Sequence, residues 1–284
     1  DGTSWMATFA IYMLKIALEL AKEDHSYEDI ASKFFEHFVS IATAINTLGG
    51  TGLWDDESGF YYDQLKFPNR QNLPLKIRSL VGIVPFFAVG NLPSTLMKDL
   101  KGFKKRTEWF LENRKDLAKE ITFLELNQST EEHLYNLAIP KKNTAEKVLK
   151  YVFDENEFLS PYGIRSLSRY HLDHPFTFDM CGEQLRVDYV PGESNTSLFG
   201  GNSNWRGPIW LCMNILLIEA LERLNNFYGD NLKAEFPTGS GNSINLAEAA
   251  DQLKCRMVSL FLPDKEGRRP CHGNNPLYVK DPHF

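Results

Sequence analysis

The densest set of chemistry-bearing residues in this chain is the run Asn204-Trp205-Arg206-Gly207-Pro208-Ile209-Trp210. An indole ring offers a flat apolar face that suits the C–H face of a sugar, while a guanidinium and a carboxamide beside it can bond ring hydroxyls. Pro208 suits the first turn of a helix and fixes the loop just before it, so Trp205 and Arg206 are expected to project rigidly. Trp210 is also spaced like a core residue, and packing with Ile209 and Leu211 is the plain alternative for it.

A second group lies in Gly52-Leu53-Trp54-Asp55 through Tyr62. Trp54, Asp55 and Tyr61 there form a candidate sugar-contact set, because a carboxylate can accept two hydroxyl hydrogen bonds beside an aromatic ring. Asp56 and Glu57 read as a solvated turn. Further along, Arg165 and Arg169 can bind hydroxyls or hold loop carboxylates such as Asp173. Glu193 is a rival carboxylate near the aromatic run. His171 and His174 lack a third ligand at metal-binding spacing and read as a surface loop. Thr238 to Ser243 lacks the lysine of a phosphate loop and reads as a linker.

These residues need elements to position them. From Trp5 to Leu20 the apolar residues Met6, Phe9, Met13, Ile16 and Leu20 recur at helical spacing, with Thr3 or Ser4 as a cap. A second helix runs from Tyr27 to Leu48 with Ile30, Phe34, Phe38, Ile41 and Ile45 on one face, and the two are expected to pair. Gly52 to Asp63 reads as a hairpin. Ser79 to Val89 and Leu96 to Leu111 read as helices joined through Asn91-Leu92-Pro93. Residues 112–142 carry no clear period. Thr144 to Phe153 is helical, Phe176 to Tyr189 alternates like a second hairpin, and helices span Pro208 to Tyr228 and Ile244 to Phe261. Helix pairs alternate with long loops, and no short repeat is present, so a closed helical barrel with its site in loops at one end is expected.

Hydrophobic residues make up 43% and charged residues 24%, which places the chain among ordinary globular proteins. A net charge of -6 argues against a nucleic-acid partner. The longest apolar runs, such as Leu80 to Val89, are too short to cross a bilayer, so no membrane partner is expected. Cys181, Cys212, Cys255 and Cys271 show no metal or disulfide spacing. Reduced thiols mildly favour a reducing compartment.

Four segments then carry a family likeness. Asp1-Gly2-Thr3-Ser4-Trp5-Met6-Ala7, Gly52 through Tyr62, Ser160-Pro161-Tyr162-Gly163-Ile164-Arg165-Ser166-Leu167-Ser168, and Asn204 through Trp210 resemble, in this order, the site motifs of glycoside hydrolase family 63 and the related mannosylglycerate hydrolases. The resemblance implies an all-α (α/α)6 barrel with short hairpins at its active-site end. It also implies inverting, exo-acting hydrolysis of α-linked gluco- or manno-configured oligosaccharides or glycosides, with no cofactor. Asp1 matches the family's general acid. Trp5, Trp54, Asp55, Tyr61, Arg165, Asn204, Trp205, Arg206 and Trp210 lie within these motifs and are the candidate substrate-binding residues.

Fewer helices can be counted than such a barrel holds, and the aromatic Glu segment that carries the family's general base is not found before Phe284. The expectation is one partial barrel domain over 1–284, truncated at both ends. A carboxylate at a helix N-terminus is stabilised in its charged form, so Asp1 needs burial under sugar and Trp5 to hold a proton. Two other readings compete. A sugar epimerase or isomerase on the same kind of barrel would need histidines as proton shuttles, and a non-catalytic carbohydrate-binding protein would not depend on Asp1.

Overall fold

Which side of the first helix turns inward decides how the molecule begins. A computed structural model of the chain describes residues 2–47, 52–67, 72–118, 134–180, 182–190, 209–273, 275–281 and 283. In it α1 (Gly2–Leu20) buries Ala7, Ala10, Ile11, Leu14, Ala17 and Leu18, and packs as a hairpin on α2 (Tyr27–Thr47). The opposite face was expected to pack. Met6, Phe9 and Ile16 are each 52% exposed and Leu20 is 44% exposed. Both faces of α1 are apolar; the one rich in alanine turns to the core, while Phe9 on the other meets Phe34 of α2 edge to face at 6.4 Å. On α2, Ala31, Phe35, Phe38, Val39, Ala42 and Ile45 face inward, while Ile30 faces out. Helix α1 already includes Thr3 and Ser4, so neither caps it; Ser4 is buried.

The expected first hairpin is present, with β1 (Trp54–Asp55) paired to β2 (Phe60–Tyr61) in the register Trp54 to Tyr61. Behind it, β3 (Asp63–Lys66) pairs with β4 (Asn72–Leu75). The helix expected from Ser79 to Val89 does not form. Two 3-10 turns, Leu80–Gly82 and Val84–Phe87, stand there, the first capped by the Ser79 hydroxyl and the second carrying Pro85 in its first turn. Proline has no N–H to continue a helical ladder. Gly82 lets the Phe60 ring and the Tyr61 carbonyl approach so closely that a Cβ would lie 2.2 Å from the ring.

The segment Asn91-Leu92-Pro93 is not a linker but belongs to β5 (Val89–Pro93), which pairs with β6 (Leu134–Ala138). That partner comes from the stretch without a sequence period. The single helix expected from Leu96 to Leu111 is interrupted, giving α3 (Ser94–Asp99), α4 (Lys101–Asn113) and the short α5 (Lys115–Ala118). Then follow α6 (Lys142–Val152), the small pair β7 (Leu159–Ser160) and β8 (Gly163–Ile164), and the second expected hairpin, β9 (Phe176–Met180) with β10 (Glu183–Val187).

A second helix pair closes the chain. Helix α7 (Leu211–Tyr228) packs on α8 (Leu246–Ser259), which Asn245 caps by accepting from the Glu248 N–H. Between them β11 (Lys233–Glu235) and β12 (Ser243–Asn245) form a hairpin. Thr238 to Ser243 is therefore a structured tip rather than a linker, held by the Glu235 carboxylate, which accepts from the Gly239 and Gly241 N–H groups. A short α9 (Pro276–Lys280) follows.

The two helix pairs meet where Tyr12 of α1 donates to Glu219 of α7 at 2.8 Å, and Arg223 bonds the same carboxylate at 2.7 Å. Phe35, Phe38, Phe60, Phe86, Phe87 and Phe103 are among the largest fully buried side chains of the core. The described fold is thus helical, with small two-stranded sheets between the helices. Among the described residues no helix is long and apolar enough to cross a membrane.

Candidate active site

The first hairpin carries three of the residues singled out from sequence. Trp54 and Tyr61 sit directly opposite across the strands, and their rings meet edge to face at 4.9 Å. Cross-strand aromatic pairs of this kind hold a short hairpin together. Tyr61 is buried, and that burial raises its phenol well above the ordinary value. It packs on Trp54 and is not among the residues lining the groove beside it. Trp54 stays partly open, with its indole N–H donated to Asp56 at 2.8 Å.

Asp55 builds the turn. Its carboxylate accepts from both the N–H and the hydroxyl of Ser58, at 2.9 and 2.6 Å, and Lys76 lies 3.3 Å away. Ser58 and Lys76 together hold the Asp55 carboxyl below the usual carboxylate range. Asp55 is thus a fixed anion, with 23% of its side chain still open to solvent. Beside it lies a polar groove of about 630 Å³ lined by Asn46, Trp54, Asp55, Tyr62, Gln64 and Asn72. Its mixture of an indole, amides and a carboxylate suits a hydroxyl-rich ring.

A network that the sequence reading missed ties this hairpin to the Ser160 region. Arg78 bonds the Glu157 carboxylate, and its guanidinium lies over the rings of Tyr151 and Tyr170, at 4.8 and 4.2 Å. Tyr62 also bonds the guanidinium. The other Glu157 oxygen accepts from the Ser168 hydroxyl. Tyr151 reaches back to donate to the Ser58 carbonyl at the hairpin tip. Burial raises the Glu157 carboxyl, while Ser168 and Arg78 pull it the other way.

His171 closes the network and corrects the expectation of a surface loop: it is 2% exposed. Its Nε2 accepts the Arg78 backbone N–H at 2.9 Å, so its Nδ1 carries the proton and donates to the His174 carbonyl at 3.0 Å. Burial lowers its basicity further. A histidine fixed in this neutral form has no free lone pair with which to shuttle protons, which removes the best described histidine from the epimerase reading. Only the paired spacing of His171 and His174 hinted at this cluster. Arg78 and Glu157 are 79 positions apart and gave no sequence signal.

Arg165 is occupied in holding backbone. Its Nη1 donates to the carbonyls of Glu155 and Leu159, so it braces the turn before β7 and makes no ion pair with Asp173 among the described contacts. The turn itself is docked on α7. Asn214, 1% exposed, accepts from the Ile164 N–H at 2.6 Å and donates to the carbonyls of Ile164 and Trp210, at 3.1 and 3.0 Å. Gly163, at φ +128°, has no room for a Cβ, which would lie 2.8 Å from the Asn214 oxygen and 3.4 Å from Ile209.

The structure therefore docks the backbone just before Arg165 on the N-terminal end of α7, where Asn214 also bonds the Trp210 carbonyl. The first hairpin joins this backbone through Phe60, stacked 5.9 Å from Phe158, whose carbonyl accepts the Arg165 N–H. Trp5 is partly buried on the Phe87 ring, 6.0 Å away. Asp1, Asn204, Trp205 and Arg206 lie outside the described residues, as does Glu193. Among the described residues no three His, Cys, Asp or Glu side chains converge to hold a metal.

Comparison with known proteins bears on the same region. Residues 133–261 match the mannosylglycerate hydrolase MGH1-like glycoside hydrolase domain. A protein of Saccharomyces cerevisiae described as uncharacterised is 44% identical over 300 aligned residues, covering 100% of this chain and 27% of its own length. A probable mannosyl-oligosaccharide glucosidase of Schizosaccharomyces pombe is 39% identical over 75 residues, covering 26% of this chain and 6% of its own. The chain spans about a quarter of the yeast relative, and the expected resemblance to these glycoside hydrolases holds.

Proposed function

We propose that this chain, whose residues 133–261 carry the likeness of a glycoside hydrolase domain, forms part of an inverting, exo-acting glycosidase. Its substrates are α-linked gluco- or manno-configured oligosaccharides or glycosides, in keeping with the likeness to a mannosylglycerate hydrolase domain and to a probable mannosyl-oligosaccharide glucosidase. The observation that carries the reading is that the match covers both the Ser160 to Arg165 turn and the end of α7 on which that turn is docked.

In this reading Asp1, directly before α1, is the general acid that protonates the departing oxygen. The helix dipole favours its charged form, so sugar and the Trp5 ring must cover it for the proton to stay. Trp54 and Asp55 engage hydroxyls in their groove, with Tyr61 as support. Asn204, Trp205, Arg206 and Trp210 form a second wall, and Arg165 positions the turn beside it. A second carboxylate, roughly 6.5–9.5 Å from the acid as inversion requires, activates the water.

Residues 1–284 are then one part of an (α/α)6 barrel. The half-exposed apolar strip Met6, Phe9, Ile16 and Leu20 on α1 supports this, because such a strip suits cover by a further helix. The test is made in a polypeptide that includes the flanking regions aligned with the yeast relative. Hydrolysis of α-linked substrates followed by proton NMR is expected to release the β-anomer first. Asp1→Asn is expected to lower turnover by about 10²–10⁴-fold. Initial release of the α-anomer, or near-normal turnover by Asp1→Asn, overturns the assignment.

A further inference from the structure

Beside the Ser160 to Gly163 turn is a hollow of about 480 Å³ that none of the proposed site residues lines. Its walls are Tyr162, the end of α8 with Leu262, and the loop Pro263, Asp264, Arg269 and Pro270. Both walls are built rigidly. On the turn, the Ser160 hydroxyl donates to the Gly163 carbonyl at 2.7 Å and accepts the Tyr162 N–H at 3.1 Å, while Arg256 donates to the Ser160 carbonyl at 2.7 Å. On the loop, one Asp264 oxygen accepts the N–H groups of Glu266 and Arg268, at 2.9 and 2.8 Å. Arg269 bonds the Phe261 carbonyl at 2.7 Å and Cys271 N–H bonds the Leu260 carbonyl at 2.9 Å, which ties the loop back to the helix.

We infer that this hollow is a separate subsite for a neutral sugar ring of an extended substrate, with Tyr162 as its platform. The inference rests on the glycosidase reading and adds a specificity-determining residue to it. Three features point to a neutral, hydroxyl-bearing ring. Tyr162 lines the hollow together with apolar Leu262 and Pro263, a combination that suits the C–H face of a stacked sugar ring. Arg268 pairs with both Asp264 and Glu266, and Arg269 donates to the Phe261 carbonyl, so the charged groups at the rim are engaged within the loop itself. The Asp264 oxygens and the arginine N–H groups supply acceptors and donors at the rim. Its place is also specific: Tyr162 is two residues from Ile164, which Asn214 clamps to the Trp210 end of α7. A glycan held at that end can extend into the hollow.

The experiment uses the same flanked polypeptide and compares α-linked gluco- and manno-trisaccharides with the corresponding disaccharides. Tyr162→Ala is expected to reduce the preference for trisaccharide over disaccharide, measured as the ratio of kcat/KM values, about tenfold, chiefly through KM. Tyr162→Phe, which keeps the platform, is expected to restore it. Leu262→Glu, placing a charge on the opposite wall at a residue that is 55% exposed, provides a second variant with little risk to folding and is expected to lower the same ratio. Saturation-transfer NMR with the trisaccharide reads binding independently of turnover. If trisaccharide is bound and hydrolysed but Tyr162→Ala and Leu262→Glu leave the ratio unchanged, the subsite is wrong and the glycosidase reading stands. If no trisaccharide or disaccharide is bound or hydrolysed, both fall.

Discussion

Arg78→Met is the sharpest test of the network that holds the first hairpin to the rest of the site. The substitution keeps an unbranched side chain of similar reach but removes the ion pair with Glu157 and both guanidinium contacts with Tyr151 and Tyr170. Removing one partner of a buried pair costs about 3–5 kcal/mol, because the remaining charge is stranded. The two side chains here are 18% and 11% exposed and Ser168 still bonds the carboxylate, so the lower end, about 3 kcal/mol, is expected. With an unfolding entropy of about 2.1 cal/mol/K per residue over this 284-residue chain, that is a fall of about 5 °C in Tm.

Adding Glu157→Gln removes the stranded charge, so the double variant is expected to recover about 1–2 kcal/mol relative to additivity. The pH dependence has a definite sign. Burial holds the folded-state pKa of Glu157 above its unfolded value, so its favourable contribution is complete below the unfolded value, near 4.5, and is lost as pH rises through the folded one. Without Arg78 the charged form is penalised further. The loss from Arg78→Met should therefore be smaller at pH 5 than at pH 8, read by urea denaturation with two spectroscopic probes. A loss below about 0.5 kcal/mol, or strict additivity in the double variant, would show that the network carries no appreciable energy.

Other outcomes follow from the same geometry. Gly163→Ala is expected to destabilise the fold by about 1–3 kcal/mol in urea melts, since it sets a Cβ at 2.8 Å from the Asn214 oxygen in a positive-φ conformation. Asp55→Asn should loosen the first hairpin and reduce turnover; because the native carboxyl is depressed, its contribution is present above pH about 4 and is lost as pH falls, so wild type and variant should converge in stability in acid. Phe9→Ser with Ile16→Ser should reduce dye binding and self-association of the 284-residue chain, yet destabilise the longer polypeptide, as expected of a face covered there by further helices. Equal effects in the two contexts would argue against that cover.

Local patterns made several elements legible. Helical spacing located α1, α2, α6, α7 and α8 to within a few residues, and the turn residues between aromatic flanks located the hairpins at Trp54 and Phe176. These features depend on neighbours within one or two turns of chain, which is the range over which backbone hydrogen bonding and side-chain periodicity act. The motif order also pointed correctly to the glycoside hydrolase likeness.

Long-range packing decided the rest. Periodicity gave the spacing of apolar residues on α1 but not which face turns inward, because the side with Ala7, Ile11, Leu14 and Leu18 and the side with Phe9, Ile16 and Leu20 are both apolar. Packing on α2, on β5 and on the turn at Val84–Phe87 selected the side. The pairing of β5 with β6, the use of Tyr61 as a buried support, and the meeting of Arg78, Glu157 and His171 depend equally on distant partners. A charge or imidazole in sequence carries no mark of its burial. Its partners, and therefore its protonation and its role, exist only once the chain has brought them together.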